Sequence, residues 1–157
     1  MKVIKYNTML DNDRKTILVK EKSSYCKQVD TLNLPEKIVS LMNFTMQAEI
    51  LAEERVWMLA TNNKNKLIGI FEIAHGTINN CILQPREIFV RACICGAAHI
   101  FIVHNHPSGD PEPSEEDNRM TQRIAEVGKL IGIPLLDHII IGNHQYYSYF
   151  EMNNKLL

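Results

Sequence analysis

Two histidines and a nearby aspartate are the residues of this sequence best suited to hold a metal ion. His104 and His106 open the stretch HNHPSGDPEPSEED, residues 104–117, at the end of a predicted β-strand. Side chains at positions i and i+2 of a strand point to the same side, so the two imidazoles can share one ion. Asp117 follows in the first turn of a predicted helix. Two nitrogens and one carboxylate oxygen suit Zn²⁺ and leave a fourth position for water, as in catalytic sites.

Local structure alone also explains this stretch. Ser114 is a good N-cap residue, and Asp117 stands three positions later, close to the capping-box pattern. Glu115 and Glu116 favour the positive end of the helix dipole. Three prolines and Gly109 suit a stiff, sharply bent loop, whether or not it presents ligands. From these residues by themselves, a metal site and a capped turn both remain open.

Composition indicates one globular domain. The chain has 157 residues, of which 45% are hydrophobic and 22% charged, and its formal net charge is -1. Binding to DNA is possible but receives no support from this charge. No apolar run approaches the ~18 residues of a membrane helix. The N-terminal residues show no signal-peptide core, so we expect a cytoplasmic protein without membrane association. The four cysteines are then expected to be thiols.

Hydrophobic periodicity predicts an α/β (α+β) fold with a mixed central sheet flanked by helices. Residues 1–33 are expected to form an N-terminal arm or extension, with one strand at 15–20 and loop at 21–30. Residues 34–157 are expected to form the main domain. Its predicted helices are 35–50, 85–98 and 114–131, and its predicted strands are 56–61, 67–77, 81–84, 99–104, 135–141 and 145–150.

The spacing H-x-H-x(7)-S-x-x-D, formed by His104, His106, Ser114 and Asp117, matches the JAMM motif of the MPN-domain metallopeptidases. The flanking segments PREIF, AHIFIVHNHPSGDPEPSEED and GKLIGIPLLDHIIIG resemble the RadC family. The resemblance covers roughly residues 35–150 and implies an MPN/JAMM domain with the layering of cytidine deaminases. We expect a short form of the family, without the helix-hairpin-helix region of longer members.

The resemblance implies a role for each motif residue. His104, His106 and Asp117 would hold Zn²⁺, and Ser114 would stabilise the oxyanion. The family places a catalytic glutamate before the first strand of the domain, and the segment EERVWMLATNNKNKLIG aligns Glu54 with it. Glu53 is the neighbouring alternative.

The implied function is a zinc-dependent hydrolase, a metallopeptidase or isopeptidase that cleaves an amide bond in a peptide or protein. One alternative is a non-catalytic MPN scaffold, although the intact ligand set argues against it. Another is a RadC-type accessory protein in DNA repair or associated with mobile elements. A zinc deaminase needs H-x-E and P-C-x-x-C, and neither occurs in the sequence.

Asp137 and His138 lie in the predicted strand LLDHIII, residues 135–141. A histidine in a buried strand is usually a hydrogen-bonded core residue, and the adjacent aspartate could hold it. We expect both residues to have a structural or supporting role around the metal ligands rather than a direct part in catalysis. The sequence contains no signal for an oligomeric state.

Overall fold

A computed structural model of the chain describes residues 1–76, 84–152 and 156–157. In these described residues, three α-helices accompany a seven-stranded sheet, and a short 3-10 turn covers Ala48–Ile50. The helices are α1 (Pro35–Met46), α2 (Pro85–Ile94) and α3 (Glu115–Ile131). The strands are β1 (Lys2–Leu10), β2 (Thr16–Tyr25), β3 (Arg55–Thr61), β4 (Leu67–His75), β5 (His99–Asn105), β6 (Leu135–Ile141) and β7 (Tyr146–Ser148).

The sheet is mixed and has the order β2-β1-β4-β3-β5-β6-β7. β1 runs parallel to β4, and β5 runs parallel to β6. All other neighbouring strands are antiparallel. The predicted α/β fold, a mixed sheet flanked by helices, is confirmed.

Alternation along the strands builds two apolar cores, one on each face of the sheet. Trp57 and Leu59 of β3 pack with Ile38 and Leu41 of α1 on the first face. Val56 and Met58 point the other way and pack against α2 and α3, through residues that include Ile88, Phe89 and Ile124. The sheet is therefore the middle of three layers, and α3 lies on the face that carries His104.

The N-terminal region differs from the prediction. Residues 21–25, predicted as loop, continue β2, and residues 2–10 form a strand that was not predicted; the two strands make an antiparallel hairpin. Tyr6 stacks on Phe71 with ring centroids 5.5 Å apart. A Cβ at Gly69 would lie 2.6 Å from the Tyr6 ring, so glycine makes this packing possible. The boundary expected at residue 33 stays a prediction.

Two helices are shorter than predicted. α1 ends at Met46 rather than at residue 50, because Gln47 adopts a left-handed conformation with φ 54°. α2 ends at Ile94 rather than at residue 98, and Gly96 follows with φ 68°. The strand predicted at 81–84 lies outside the described residues except for Gln84, which is not in a strand.

The three cysteines in the described part of the chain, Cys26, Cys93 and Cys95, are free thiols, as predicted. Among the described residues, no helix is long and apolar enough to cross a membrane.

Candidate metal centre

Three segments meet at the carboxyl end of β5. That strand carries His104 at its last but one position, and His106 follows its end. α3 begins at Glu115, so Asp117 lies in its first turn. Glu54 directly precedes β3, and the β3–β5 ladder begins with the pair Val56 and His104. The sheet register therefore places Glu54 beside the histidines.

Four ligand atoms converge in this place. One side-chain nitrogen or oxygen from each of Glu54, His104, His106 and Asp117 lies within 4.8 Å of the other three. His104 Nε2 is 2.9 Å from His106 Nε2 and 3.2 Å from Asp117 Oδ1. His104 and Asp117 are buried. The three residues predicted as metal ligands are thus brought together by the fold.

Glu54, and not Glu53, belongs to this cluster. Its Oε1 is 3.9 Å from His104 Nε2, and its side chain is 19% exposed. Glu53 instead contacts His75 at the surface, with 63% of its side chain exposed. The structure therefore separates two acids that the sequence left as neighbouring alternatives, although the catalytic role of Glu54 stays a prediction.

A hydrogen bond outside the cluster places the ring proton of His106 on the nitrogen that faces away from the other ligand atoms. His106 Nδ1 lies 2.8 Å from the carbonyl oxygen of Asp110, which can only accept a hydrogen bond. Nδ1 therefore carries the proton, and a neutral His106 directs the lone pair of Nε2 into the cluster. In the described part of the chain, Asp117 Oδ1 is buried and no group donates a hydrogen bond to it. An unpartnered buried carboxylate oxygen facing imidazole nitrogens fits a bound cation.

Burial and mutual contacts shift the pKa values of His104, His106 and Asp117. Burial lowers the pKa of His104 to about 4, so this imidazole is neutral at pH 7. The interaction with Asp117 raises the pKa of His106. Burial alone would raise the pKa of Asp117, but its interactions with His106 and Ser114 outweigh burial and hold that pKa below the usual range. Without a metal, a proton on His106 would supply the positive charge that the cluster needs.

Ser114 caps α3. Its Oγ accepts a hydrogen bond from Asp117 N at 3.1 Å and donates one to Asp117 Oδ2 at 2.6 Å. The capping-box geometry is complete, because Asp117 Oδ2 also accepts from Ser114 N. In this arrangement the hydroxyl proton is engaged with the carboxylate, and the role of Ser114 towards an oxyanion stays a prediction.

Asp137 and His138 point to opposite sides of β6. His138 Nε2 lies 2.8 Å from His104 Nδ1, so it supports the cluster directly. Asp137 accepts hydrogen bonds from Ser148 Oγ and from the backbone N–H of Phe150. It lines an apolar cavity of about 220 Å³ away from the histidines. The structure thus brings only one of these two residues to the cluster.

In the described part of the chain, Thr121 and Asn105 support the centre from outside the cluster, and neither was singled out from the sequence. Thr121 Oγ1 is 2.6 Å from His138 Nδ1. Asn105 bridges the backbone on both sides of Glu54, accepting from Arg55 N at 2.9 Å and donating to Glu53 O at 3.1 Å. The available signals were weak: Thr121 lies one helical turn after Asp117, and Asn105 lies between the two histidines.

Comparison with known proteins identifies similar chains. The family described as the RadC-like JAB domain matches residues 32–155. A UPF0758 protein of Clostridium botulinum is 47% identical over 120 residues, covering 76% of this chain and 52% of the relative. UPF0758 proteins of Alkaliphilus metalliredigens and Desulforudis audaxviator are 45% and 41% identical, covering 74% and 75% of this chain and 50% of each relative. The chain therefore spans about half the length of these relatives.

Proposed function

The chain belongs to the RadC family, and from this we propose that it is a JAMM-type hydrolase that uses Zn²⁺ to cleave an amide bond in a peptide or protein. His104, His106 and Asp117 would hold the ion. When bound there, zinc would polarise a substrate carbonyl and lower the pKa of a water molecule.

The observation that carries this proposal is the inward direction of the lone pairs. His106 donates a hydrogen bond from Nδ1 to the backbone carbonyl of Asp110, and this bond orients the ring so that Nε2 faces the other ligand atoms. Asp117 commits Oδ2 to the cap and leaves Oδ1 buried without a donor in the described part of the chain. Nitrogen and oxygen donors in this combination suit zinc, and three protein ligands leave a position for substrate or water. A purely structural capped turn would not require two imidazole nitrogens to face each other at 2.9 Å.

Glu54 is the proposed general acid and base. A candidate base must lie within reach of the proton that it moves, and Glu54 Oε1 lies 3.9 Å from the metal-facing nitrogen of His104. It would take a proton from the attacking water and later give it to the leaving amine. The reaction converts one amide and one water into a carboxylic acid and an amine, so no other reactant is needed.

Ser114 would assist from the edge of the site by donating a hydrogen bond from its hydroxyl to the developing oxyanion. To do so, its proton must leave Asp117 Oδ2, which it contacts at 2.6 Å. The exposed position of Ser114 at the start of α3 leaves room for this rotation. The non-catalytic scaffold alternative is disfavoured because all four candidate groups meet within 4.8 Å.

Metal analysis and paired glutamate variants test the proposal. We expect about one zinc per chain in the purified protein and none in His106→Ala. Glu54→Gln should keep the metal and lose cleavage of a peptide library, measured by mass spectrometry of new amino termini. Glu53→Gln is the matched control and should retain both.

Two outcomes would overturn parts of the proposal. A wild-type chain that takes up no zinc even when zinc is added has no metal site of this kind. Full cleavage by Glu54→Gln together with its loss in Glu53→Gln would move the base by one residue.

A further inference from the structure

We propose that Thr121 and His138 are positioning residues that hold His104 in the tautomer with its Nε2 lone pair towards the metal. This inference rests on the proposed metal site and adds to it a hydrogen-bonded chain of defined direction. The chain runs from a backbone carbonyl in α3, through a hydroxyl and one imidazole, to the imidazole of the ligand.

The number of protons on Thr121 determines which group donates each hydrogen bond in this chain. Thr121 Oγ1 lies 2.6 Å from the carbonyl oxygen of Asp117 and 2.6 Å from His138 Nδ1. The hydroxyl has one proton and the carbonyl oxygen can only accept, so the proton lies between these two oxygens. His138 Nδ1 must then carry a proton of its own and donate it to Thr121.

The proton on His138 Nδ1 also fixes the proton position on the proposed ligand His104. A neutral His138 with a proton on Nδ1 has an acceptor at Nε2, which lies 2.8 Å from His104 Nδ1. His104 therefore donates from Nδ1, and its Nε2 has no proton. This nitrogen is the one that lies 3.2 Å from Asp117 Oδ1.

The opposite direction of donation along these hydrogen bonds is unfavourable. If His138 carried its proton on Nε2, it would donate to His104 and push the proton of that residue to Nε2, where the metal must bind. Thr121 would have to donate to His138, and two oxygens would then face each other at 2.6 Å with no proton between them.

Packing holds the intermediate imidazole in place. His138 is fully buried, and the ring of Tyr149 stacks on it at 5.0 Å with an angle of 3°. Tyr149 is held in turn by a hydrogen bond of 2.8 Å to Asn118, next to Asp117. Because Thr121 and Asp117 share α3, the chain links the position of one ligand to the tautomer of another.

Zinc affinity of threonine variants tests the proposal. Thr121→Val keeps the shape but removes the hydroxyl, and we expect zinc affinity, measured by competition with a chelator, to fall roughly 10- to 100-fold. Thr121→Ser restores the hydroxyl and should bind zinc like the wild type. Thr45→Val is the matched control, since Thr45 Oγ1 also donates to the carbonyl four residues earlier, Leu41 O at 2.7 Å, but contacts no ligand.

Nitrogen NMR of the metal-free chain tests the tautomer directly. We expect His104 to be protonated at Nδ1 and unprotonated at Nε2 in the wild type and in Thr121→Ser, and this pattern to be lost in Thr121→Val. A wild-type His104 protonated at Nε2, or unchanged zinc affinity in Thr121→Val, would overturn the relay while leaving the metal site intact. Failure of the wild type to bind zinc would overturn the proposed function instead, and the NMR pattern would still decide the relay.

Discussion

Asp117 divides its carboxylate between two tasks. Oδ2 accepts hydrogen bonds from the backbone and hydroxyl of Ser114, at 2.8 Å and 2.6 Å, and so begins α3. Oδ1 faces His104 at 3.2 Å. A helix start and a metal ligand are therefore compatible in one residue, because each needs only one of the two oxygens. At this scale, burial also sets the charge of individual groups, and Asp137 offers the clearest case.

Asp137 makes stability depend on pH. Burial raises its pKa from 3.8 to about 6, despite hydrogen bonds from Ser148 and Phe150 that act in the opposite direction. The folded state thus prefers the neutral acid. The contribution of Asp137 to stability is complete below pH 4 and is lost as the pH rises to 6, because the unfolded chain releases its proton first. The loss amounts to about 3 kcal/mol at most.

Asp137→Asn should remove this dependence. We expect the free energy of unfolding of the variant, relative to the wild type, to increase between pH 4 and pH 7. Denaturant unfolding of both proteins in the presence of a chelator measures the difference at each pH. A difference that stays constant across this range would show that Asp137 titrates normally.

At the scale of elements, one side chain connects the ligand strand to the segment of the proposed base. Asn105 ends β5, is 1% exposed, and bonds to the peptide groups on both sides of Glu54. Gly76, after β4, donates to the carbonyl of Glu54 at 2.9 Å. The backbone of Glu54 is therefore fixed from two neighbouring strands, and the tripeptide His104–His106 positions two proposed ligands and one proposed base.

Asn105→Ala should separate base positioning from metal binding. We expect the variant to keep zinc but to cleave peptides on the order of 100-fold more slowly, since small displacements of catalytic groups have effects of this size. It should also lose about 2 kcal/mol of stability, because buried polar groups lose their partners. Zinc content, cleavage rate and denaturant unfolding measure the three effects.

Asn43→Ala is the matched control for this change. The side-chain amide of Asn43 also makes two hydrogen bonds: its oxygen accepts from Glu49 N and its nitrogen donates to Glu49 Oε2, at 3.1 Å each. Asn43 lies in α1 and does not contact the segment of Glu54 through these bonds. Its replacement should lower stability without slowing cleavage. Equal cleavage rates in the two variants would mean that Asn105 has only a structural role.

At the scale of the whole molecule, the candidate centre lies where the sheet, its crossover helix and an antiparallel neighbour meet. β5, α3 and β6 form a parallel strand–helix–strand unit, and side chains at the carboxyl ends of such strands converge. β3 adds the glutamate from the antiparallel side. Because these elements pack into both cores, a ligand shared between them should stabilise the folded chain as a unit.

Zinc should therefore raise the melting temperature. At a free concentration about 100 times the dissociation constant, binding contributes about 2.7 kcal/mol, which corresponds to roughly 5 to 10 °C for a chain of this size. Thermal unfolding with zinc and with a chelator measures the shift. His106→Ala should show none, and an equal shift in that variant would place the binding elsewhere on the chain.

Local patterns predicted those parts of the fold that are encoded within a few residues. The continuous apolar runs of β3 and β5 and the Ser114 start of α3 were predicted correctly, since each depends on near neighbours. The N-terminal hairpin was missed because much of β2 is exposed and lacks a buried face. Its position depends on contacts with β4 far along the chain, such as Tyr6 with Phe71.

The sequence by itself identified the candidate ligands, because strand alternation puts His104 and His106 on one side and the capping pattern puts Asp117 in the first turn of α3, as in the family motif that they match. Only the tertiary structure decided which glutamate joins them and which residues support them. Asn105 reaches Glu53 across 52 positions, and Thr121 reaches His138 across 17. Such pairs depend on strand register and on the packing of α3 against the sheet. These are set by the burial of both cores together, and no local pattern encodes them.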